Sequence, residues 1–299
     1  LAAACLASAG EGPLSWKFKA GDEADIVVER KQVRAIDLGG NQLEIGSGST
    51  LDVHWKVDSV DEKGTATLTA AVVRLQMEMT SPIAQFEFDS MGEEPEGDAI
   101  WEEIGERIKK FVGSTIKLVV APSGKVEKVE FAPEVVEALN QEFNNPQIGR
   151  FVGSQFDEKG LGRFVGECFA RMPEGKVEVG ETWEDVDTQS IPRMGDVVVT
   201  KSHTYKGENG SIHLIEVVSK VELKPAEGGD EESSVDLREQ EGKGLIEFDA
   251  AKGRASKSEF VQKMTMDLSR DGNDISIEST ETTIVREGKS EAPAKAEAN

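Results

Sequence analysis

The sequence predicts an α+β protein that is mainly antiparallel β: a curved meander sheet or half-barrel with a central helical segment packed on or between its parts. Three observations carry that expectation. Apolar residues alternate with polar ones through residues 14–90 and again through 183–286, the period of a strand with one wet face. Turn-forming Gly, Asn and Asp separate these runs at short spacing. Helical spacing of three and four is confined to residues 98–172, between them.

In the first strand region Leu51, Val53, Trp55 and Val57 alternate with Asp52, His54, Lys56 and Asp58. Asp61-Glu62-Lys63-Gly64 supplies a turn. Ala66, Leu68, Ala70 and Val72 then share a face, but Val73, Leu75, Met77 and Met79 carry the pattern onward one residue out of phase. A β-bulge near Ala71–Val73 keeps both runs on the core side.

Glu93 to Asp98 is an acidic loop. It leads into a helix that aligns Ile100, Trp101, Ile104, Ile108, Phe111 and Val112, with Gly113 suited to the C′ position. Ile116–Val120 and Val126–Phe131 flank Ala121-Pro122-Ser123-Gly124 as a hairpin. Pro133 opens a helix reaching about Phe143, and 146–172 add helical material broken near Asp157–Gly160. There Leu161, Phe164, Val165, Cys168, Phe169 and Met172 form one face, which makes Cys168 a buried, inert thiol.

In the second strand region Asn209-Gly210 marks a two-residue hairpin turn, since both residues tolerate positive φ. That register sets His203 opposite Glu216 and His213 opposite Lys206, on opposite faces, so the two cannot share a metal. His54 lies on the polar face of a distant strand. Ala226–Ser234 reads as an acidic loop. Leu245–Asp249, Arg254–Leu268 and Ile275–Val285 finish the meander, and 287–299 read as a disordered tail without apolar anchors. Phe86-Glu87-Phe88-Asp89-Ser90 echoes Ile246-Glu247-Phe248-Asp249-Ala250. Residues 10–286 are thus one β-rich domain or a two-part pseudo-repeat.

Leu1–Ala9 reads as the remnant of a signal peptide, because Ala7 and Ala9 place small side chains before Gly10. In the alternative, Cys5 follows Ala2-Ala3-Ala4 as a lipidation site. Both imply export to the periplasm, cell envelope or exterior. Charge narrows the partners. With 34 Lys and Arg against 57 Asp and Glu, the formal charge is −23. Nucleic-acid binding and polybasic adhesion to membranes are both disfavoured. No stretch after the leader is apolar enough for a transmembrane span.

Chemistry-bearing motifs are scarce. There is no Gly-x-Ser-x-Gly elbow, no calcium loop and no convergent metal set, and Gly160–Gly166 lacks the preceding strand of a dinucleotide site. No catalytic residue, metal or cofactor is expected. Met77 and Met79 share a strand face, as do Met264 and Met266 with Phe260 on another. Such adaptable side chains pack readily on the central helices, and they equally suit an apolar ligand held between sheet and helices.

Trp16-Lys17-Phe18-x-x-Gly21, Trp55-x-Val57, Gly180-x-x-Trp183 and Gly244-Leu245-x-x-Phe248-Asp249-x-x-x-Gly253-Arg254 resemble an uncharacterised family of exported bacterial β-rich proteins. The layout is similar to the lipoprotein-carrier half-barrels of the bacterial envelope. The resemblance implies no assigned activity. The expectation is an exported, non-catalytic protein that binds a lipid or other apolar ligand. The alternative is a structural or protein–protein interaction module, with an envelope protein as partner, and a hydrolase is the least favoured reading.

Overall fold

The computed structural model describes residues 14–82, 84–92, 105–106, 109–140, 158–191, 195–225, 233–270 and 273–290. In chain order these form β1 (Glu23–Leu38), β2 (Asn41–Val60), β3 (Ala66–Ser81), β4 (Ala84–Asp89), β5 (Thr115–Val120), β6 (Val126–Phe131), α1 (Pro133–Asn140), α2 (Glu158–Gly166), β7 (Thr182–Ile191), β8 (Gly195–Asn209), β9 (Ile212–Pro225), β10 (Ser233–Asp249), β11 (Arg254–Arg270) and β12 (Asn273–Glu287).

All the strands join one antiparallel sheet in the order β6-β5-β3-β2-β1-β12-β11-β10-β9-β8-β7, with β4 beside the far half of β3. The first and last strands pair at its middle, Val28 against Val285. Hairpins then run outward on both sides, and β6 and β7 end the path without meeting, so the sheet is open rather than a closed barrel.

Alternation decides which residues point inward. Across β3, β2, β1, β12, β10 and β9, the row Leu75, Leu51, Val28, Val285, Ile246 and Ile215 is buried. The phase slip in β3 is the expected bulge. Asp52 pairs with Arg74 and Val53 with Val72, leaving Val73 as the extra residue, 38% exposed, while Val72 and Leu75 both face the core.

The sheet is strongly curled, and two backbone hydrogen bonds show how far. Trp16 N–H donates to the Pro122 carbonyl and Lys17 N–H to that of Gly253, each at 2.8 Å. Those carbonyls belong to the β5–β6 and β10–β11 turns, about 24 Å apart in a flat sheet at five strand spacings. Adjacent residues can reach both only because the sheet wraps around them. Gly124 and Gly253, at φ +74° and +67°, permit the approach: a Cβ on Gly124 would lie 2.2 Å from the Ala170 carbonyl, and one on Gly253 2.4 Å from Lys17 Cβ.

Residues 14–18 and 168–172 plug this end. Trp16 packs on Phe18, Phe169 and Phe248 at centroid distances of 5.3–6.2 Å, and its indole N–H donates to the Ala170 carbonyl at 2.9 Å. The helix α2 stops at Gly166, so of the face expected from 3-4 spacing only Leu161, Phe164 and Val165 are helical; Cys168, Phe169 and Met172 lie in the turn and irregular chain after it and are buried there. Burial pushes the Cys168 thiol up to about 12, so it stays protonated.

Two expectations are corrected. In the β8–β9 hairpin Asn209 pairs with Ile212, so Gly210-Ser211 are the turn residues, and a bulge between Tyr205 and Gly207 shifts the register again. His203 therefore faces Val217 rather than Glu216, and His213 faces Glu208 rather than Lys206. The inserted residue flips the phase, and both histidines point to the core face, buried. At the C-terminus, β12 runs to Glu287, and Ser290 donates from its backbone N–H and hydroxyl to Asp52 at 2.9 and 2.6 Å. The chain is thus anchored at least to Ser290.

The leader Leu1–Ala9 with Cys5, most of the helix expected over 98–112, the acidic loop 93–98, residues 141–157 and the tail 291–299 lie outside the described residues.

Candidate functional site

Beyond the plug, the concave face is built in belts, each a row of cross-strand neighbours. The first belt is polar. Its rows are Ser49, Arg30, Thr283 and Phe260, then Ser47, Gln32, Glu281 and Gln262, on β2, β1, β12 and β11. Arg30 donates to both oxygens of Glu167, just after α2, at 2.5 and 2.6 Å, and lies over the Phe164 ring at 4.8 Å. Gln32 donates to Glu281 at 3.0 Å. These contacts tie the helix to the sheet midway up the concave face.

Two glycines of β10 shape this belt. Ser219 on β9 donates to Gln262 on β11 at 2.5 Å, directly across Gly242, where a Cβ would lie 1.8 Å from the serine oxygen. Phe260 lies against Gly244, whose Cβ would come within 2.7 Å of the ring, and the Lys201 ammonium sits 5.0 Å from that ring's centroid.

The second belt is aliphatic and reaches the open end. Its rows are Ile45, Arg34, Ser279 and Met264, then Leu43, Ile36, Ile277 and Met266, then Leu38, Ile275 and Leu268. Among these apolar side chains Leu38 is 47% exposed and the others half-buried. Within it stands one cation. Among the described residues, the side chains of Arg34 and its direct neighbour Ser279, which is 9% exposed, have no hydrogen-bond or ion-pair partner.

All five residues singled out from sequence lie on the concave face, but not as one cluster. Met77 and Met79 pack against the core, paired with Phe88 and Phe86 of β4. Phe260 also packs on the core, whereas Met264 and Met266 stand in the aliphatic belt. Four strand spacings, about 19 Å along the sheet, and the polar belt separate the two groups. Sequence reasoning missed Ile36, Leu43, Ile45 and Ile277. Their signal was present as Leu43-Glu44-Ile45 and Ile275-Ser276-Ile277, two short period-two runs that cross-strand register alone makes adjacent.

His203 is 3% exposed and stacked on Trp183 at 5.4 Å, and neither ring nitrogen has a hydrogen-bond partner among the described residues. Burial brings its pKa down to about 4; Asp185 opposes this, while Lys201 and Arg171 add to it. It is a neutral packing residue at physiological pH. His213 Nδ1 lies 2.7 Å from the Tyr205 hydroxyl, and His54 Nδ1 2.8 Å from Asp25. Among the described residues no three His, Cys, Asp or Glu side chains are grouped to hold a metal ion, and no helix is long and apolar enough to cross a membrane. A groove of about 340 Å³ touches Met264, Gln240 and Ser279, but its other walls, among them Glu239, Lys263 and Glu278, belong to the outer face.

Among solved structures, a lipovitellin chain, from a study of lipid–protein interactions in lipovitellin, aligns with 94% of this chain at 11% identity and a TM-score of 0.46. The present chain spans only 26% of that protein's length. DynF of the dynemicin biosynthesis pathway of Micromonospora chersina aligns at 7% identity and a TM-score of 0.22, covering 91% of this chain and 83% of DynF. A DUF1329 family protein from Desulfovibrio piger aligns at 11% identity and a TM-score of 0.14, covering 89% and 87%. No curated protein matches the sequence. A family model does, over residues 63–253, from the β2–β3 turn to the β10–β11 turn, and the chain belongs to that family of unknown function, DUF6263.

Proposed function

We propose that this protein is an exported, non-catalytic carrier that holds the acyl chain of a lipid on the aliphatic belt of its concave face. One observation carries the reading: Ile36, Leu43, Ile45, Met264, Met266 and Ile277 form adjoining half-buried rows on the inner face. Side chains of this kind gain about 25 cal/mol per Å² when water is removed from them. A linear hydrocarbon can cover such rows without specific hydrogen bonds, which suits a face with few polar groups toward its rim. The absence of catalysis rests on the side chains present. His203 is neutral and enclosed, Cys168 is protonated, and the belt offers no activated nucleophile. Export rests on the apolar leader ending Ala7-Ser8-Ala9.

The test is native mass spectrometry of protein purified from an exporting bacterial host, compared with the denatured mass. The expected result is a native excess of a few hundred daltons that disappears in the double variant Met266→Glu, Ile277→Glu. Equal native and denatured masses for the unaltered protein would overturn the reading. The denatured mass also locates the mature N-terminus, at Gly10 or at an acylated Cys5.

A protein-binding module is the alternative, and a different surface favours it. Among the described residues β7 pairs only with β8, leaving its outer edge without a strand, and it carries Val186 at 58% exposure, while Val218 and Leu245 lie exposed as diagonal neighbours on the outer face. Such an edge can accept a strand from another chain.

A further inference from the structure

We infer that the ligand is an anionic amphiphile whose acid group, a carboxylate or phosphate monoester, is held by Arg34 and Ser279 while its chain runs over the aliphatic belt to the rim. This rests on the acyl-binding reading above and names the head group. Arg34 on β1 and Ser279 on β12 are direct cross-strand partners on the concave face. Arg34 is half-buried in the row of Ile45, Ser279 and Met264, next to Ile36 on its own strand face, and a counter-charge gains value as its guanidinium leaves water. The neighbouring arginine of the same strand face, Arg30, has its counter-charge in Glu167. Arg34 has none among the described residues, and the hydroxyl of Ser279 beside it, a residue 9% exposed, likewise has no partner among them. A fork of guanidinium N–H donors next to a hydroxyl matches the oxygens of a carboxylate or phosphate.

The placement also sets the direction of the chain. Below Arg34 lie the hydrogen-bonded Gln32 and Glu281, which repel a hydrocarbon and, in the case of Glu281, an anion. Above it the rows of Ile36 and Leu38 continue for about 14 Å of strand. An acid group at Arg34 thus leaves its chain one apolar path, toward the open end.

The experiment is a binding titration of delipidated full-length protein with oleate, oleoyl lysophosphatidate, methyl oleate and inorganic phosphate, repeated with Arg34→Gln and Ser279→Ala. The expected result is that at least one acid binds about ten-fold or more tighter than methyl oleate, as a charge-assisted pair requires. The tighter acid identifies the head. Arg34→Gln should remove that preference, weakening the acid about ten-fold more than it weakens methyl oleate, and Ser279→Ala should reduce it in part. Equal binding of acids and ester, or a preference that survives Arg34→Gln, overturns the head-group assignment and leaves the acyl-binding reading standing. Binding of neither acids nor ester overturns both. Inorganic phosphate binding as tightly as the lysophosphatidate would make this a free-anion site and overturn the amphiphile.

Discussion

The two ends of the concave face are made from the same strands and the same kinds of residue, yet they differ in exposure. On β1 and β2, Val28 and Leu51 are paired and fully buried, whereas Ile36 and Leu43, eight residues along each strand and again paired, are half-buried. The difference is what lies over them. The Trp16 and Phe169 segments and α2 cover the first pair's end, held down by hydrogen bonds to turns from both halves of the sheet. Alternation puts a side chain on a face; only a second layer removes that face from water.

Mutations that treat the two ends alike should therefore have unlike effects. Trp16→Ala empties the centre of the plug and is expected to cost about 3–5 kcal/mol of unfolding free energy. Ile277→Ala, at the open end, should cost about 1 kcal/mol or less, because half-buried surface yields less when truncated. Urea denaturation of both variants checks the contrast, and similar losses at the two sites would break it.

Acid should act on the covered part of the face. The pKa of His203 is lowered from an ordinary 6.5 to about 4, so as pH falls through that window the unfolded chain takes up the proton before the native one. Stability is then fully present above about pH 6.5 and declines as pH falls toward 4, by up to about 3 kcal/mol. His203→Phe removes the titrating ring, and should flatten that decline in chemical denaturation measured at pH 5 and pH 7.5. An unchanged pH dependence would show that other groups control it.

A smaller effect sharpens the account of how the sheet closes on its plug. Gly124→Ala introduces a Cβ at positive φ against the Ala170 carbonyl and the Trp16 indole, and is expected to cost about 2–3 kcal/mol. Gly113→Ala, also at positive φ but with open space around it, isolates the conformational part at about 1 kcal/mol. Thermal melts of the two separate close approach from backbone strain.

Much of the fold was legible along the chain. The β3 bulge followed from a one-residue phase slip, the 121–124 hairpin from turn chemistry, and the burial of Leu161, Val165 and Cys168 from their 3-4 spacing, although the helix itself stops at Gly166. Each rests on interactions between residues near in sequence, where period and local geometry coincide. The β8–β9 register was misread for the same reason in reverse. Asn209-Gly210 is a strong local turn signal, but the hairpin turns one residue later and absorbs the difference in a bulge at Gly207, which carries φ +109°. The methionines were found because Met is conspicuous in a strand. Ile36, Leu43 and Ile277 were not, because ordinary aliphatic residues in strands read as core until something is known to cover them or leave them bare.

Sequence alone determined the class of the molecule: antiparallel strands with one apolar face, helices confined to the middle and a strongly acidic composition. These follow from side-chain period, turn residues and composition, all short-range properties of the chain. Tertiary structure alone decided that the first and last strands meet at the centre of the sheet. It decided as well that residues 14–18 plug one end, and that Arg34 stands beside Ser279 on an aliphatic face with no counter-charge among the described residues. Those are pairings between residues up to hundreds of positions apart, and a period read along one strand holds no information about which strand lies beside it.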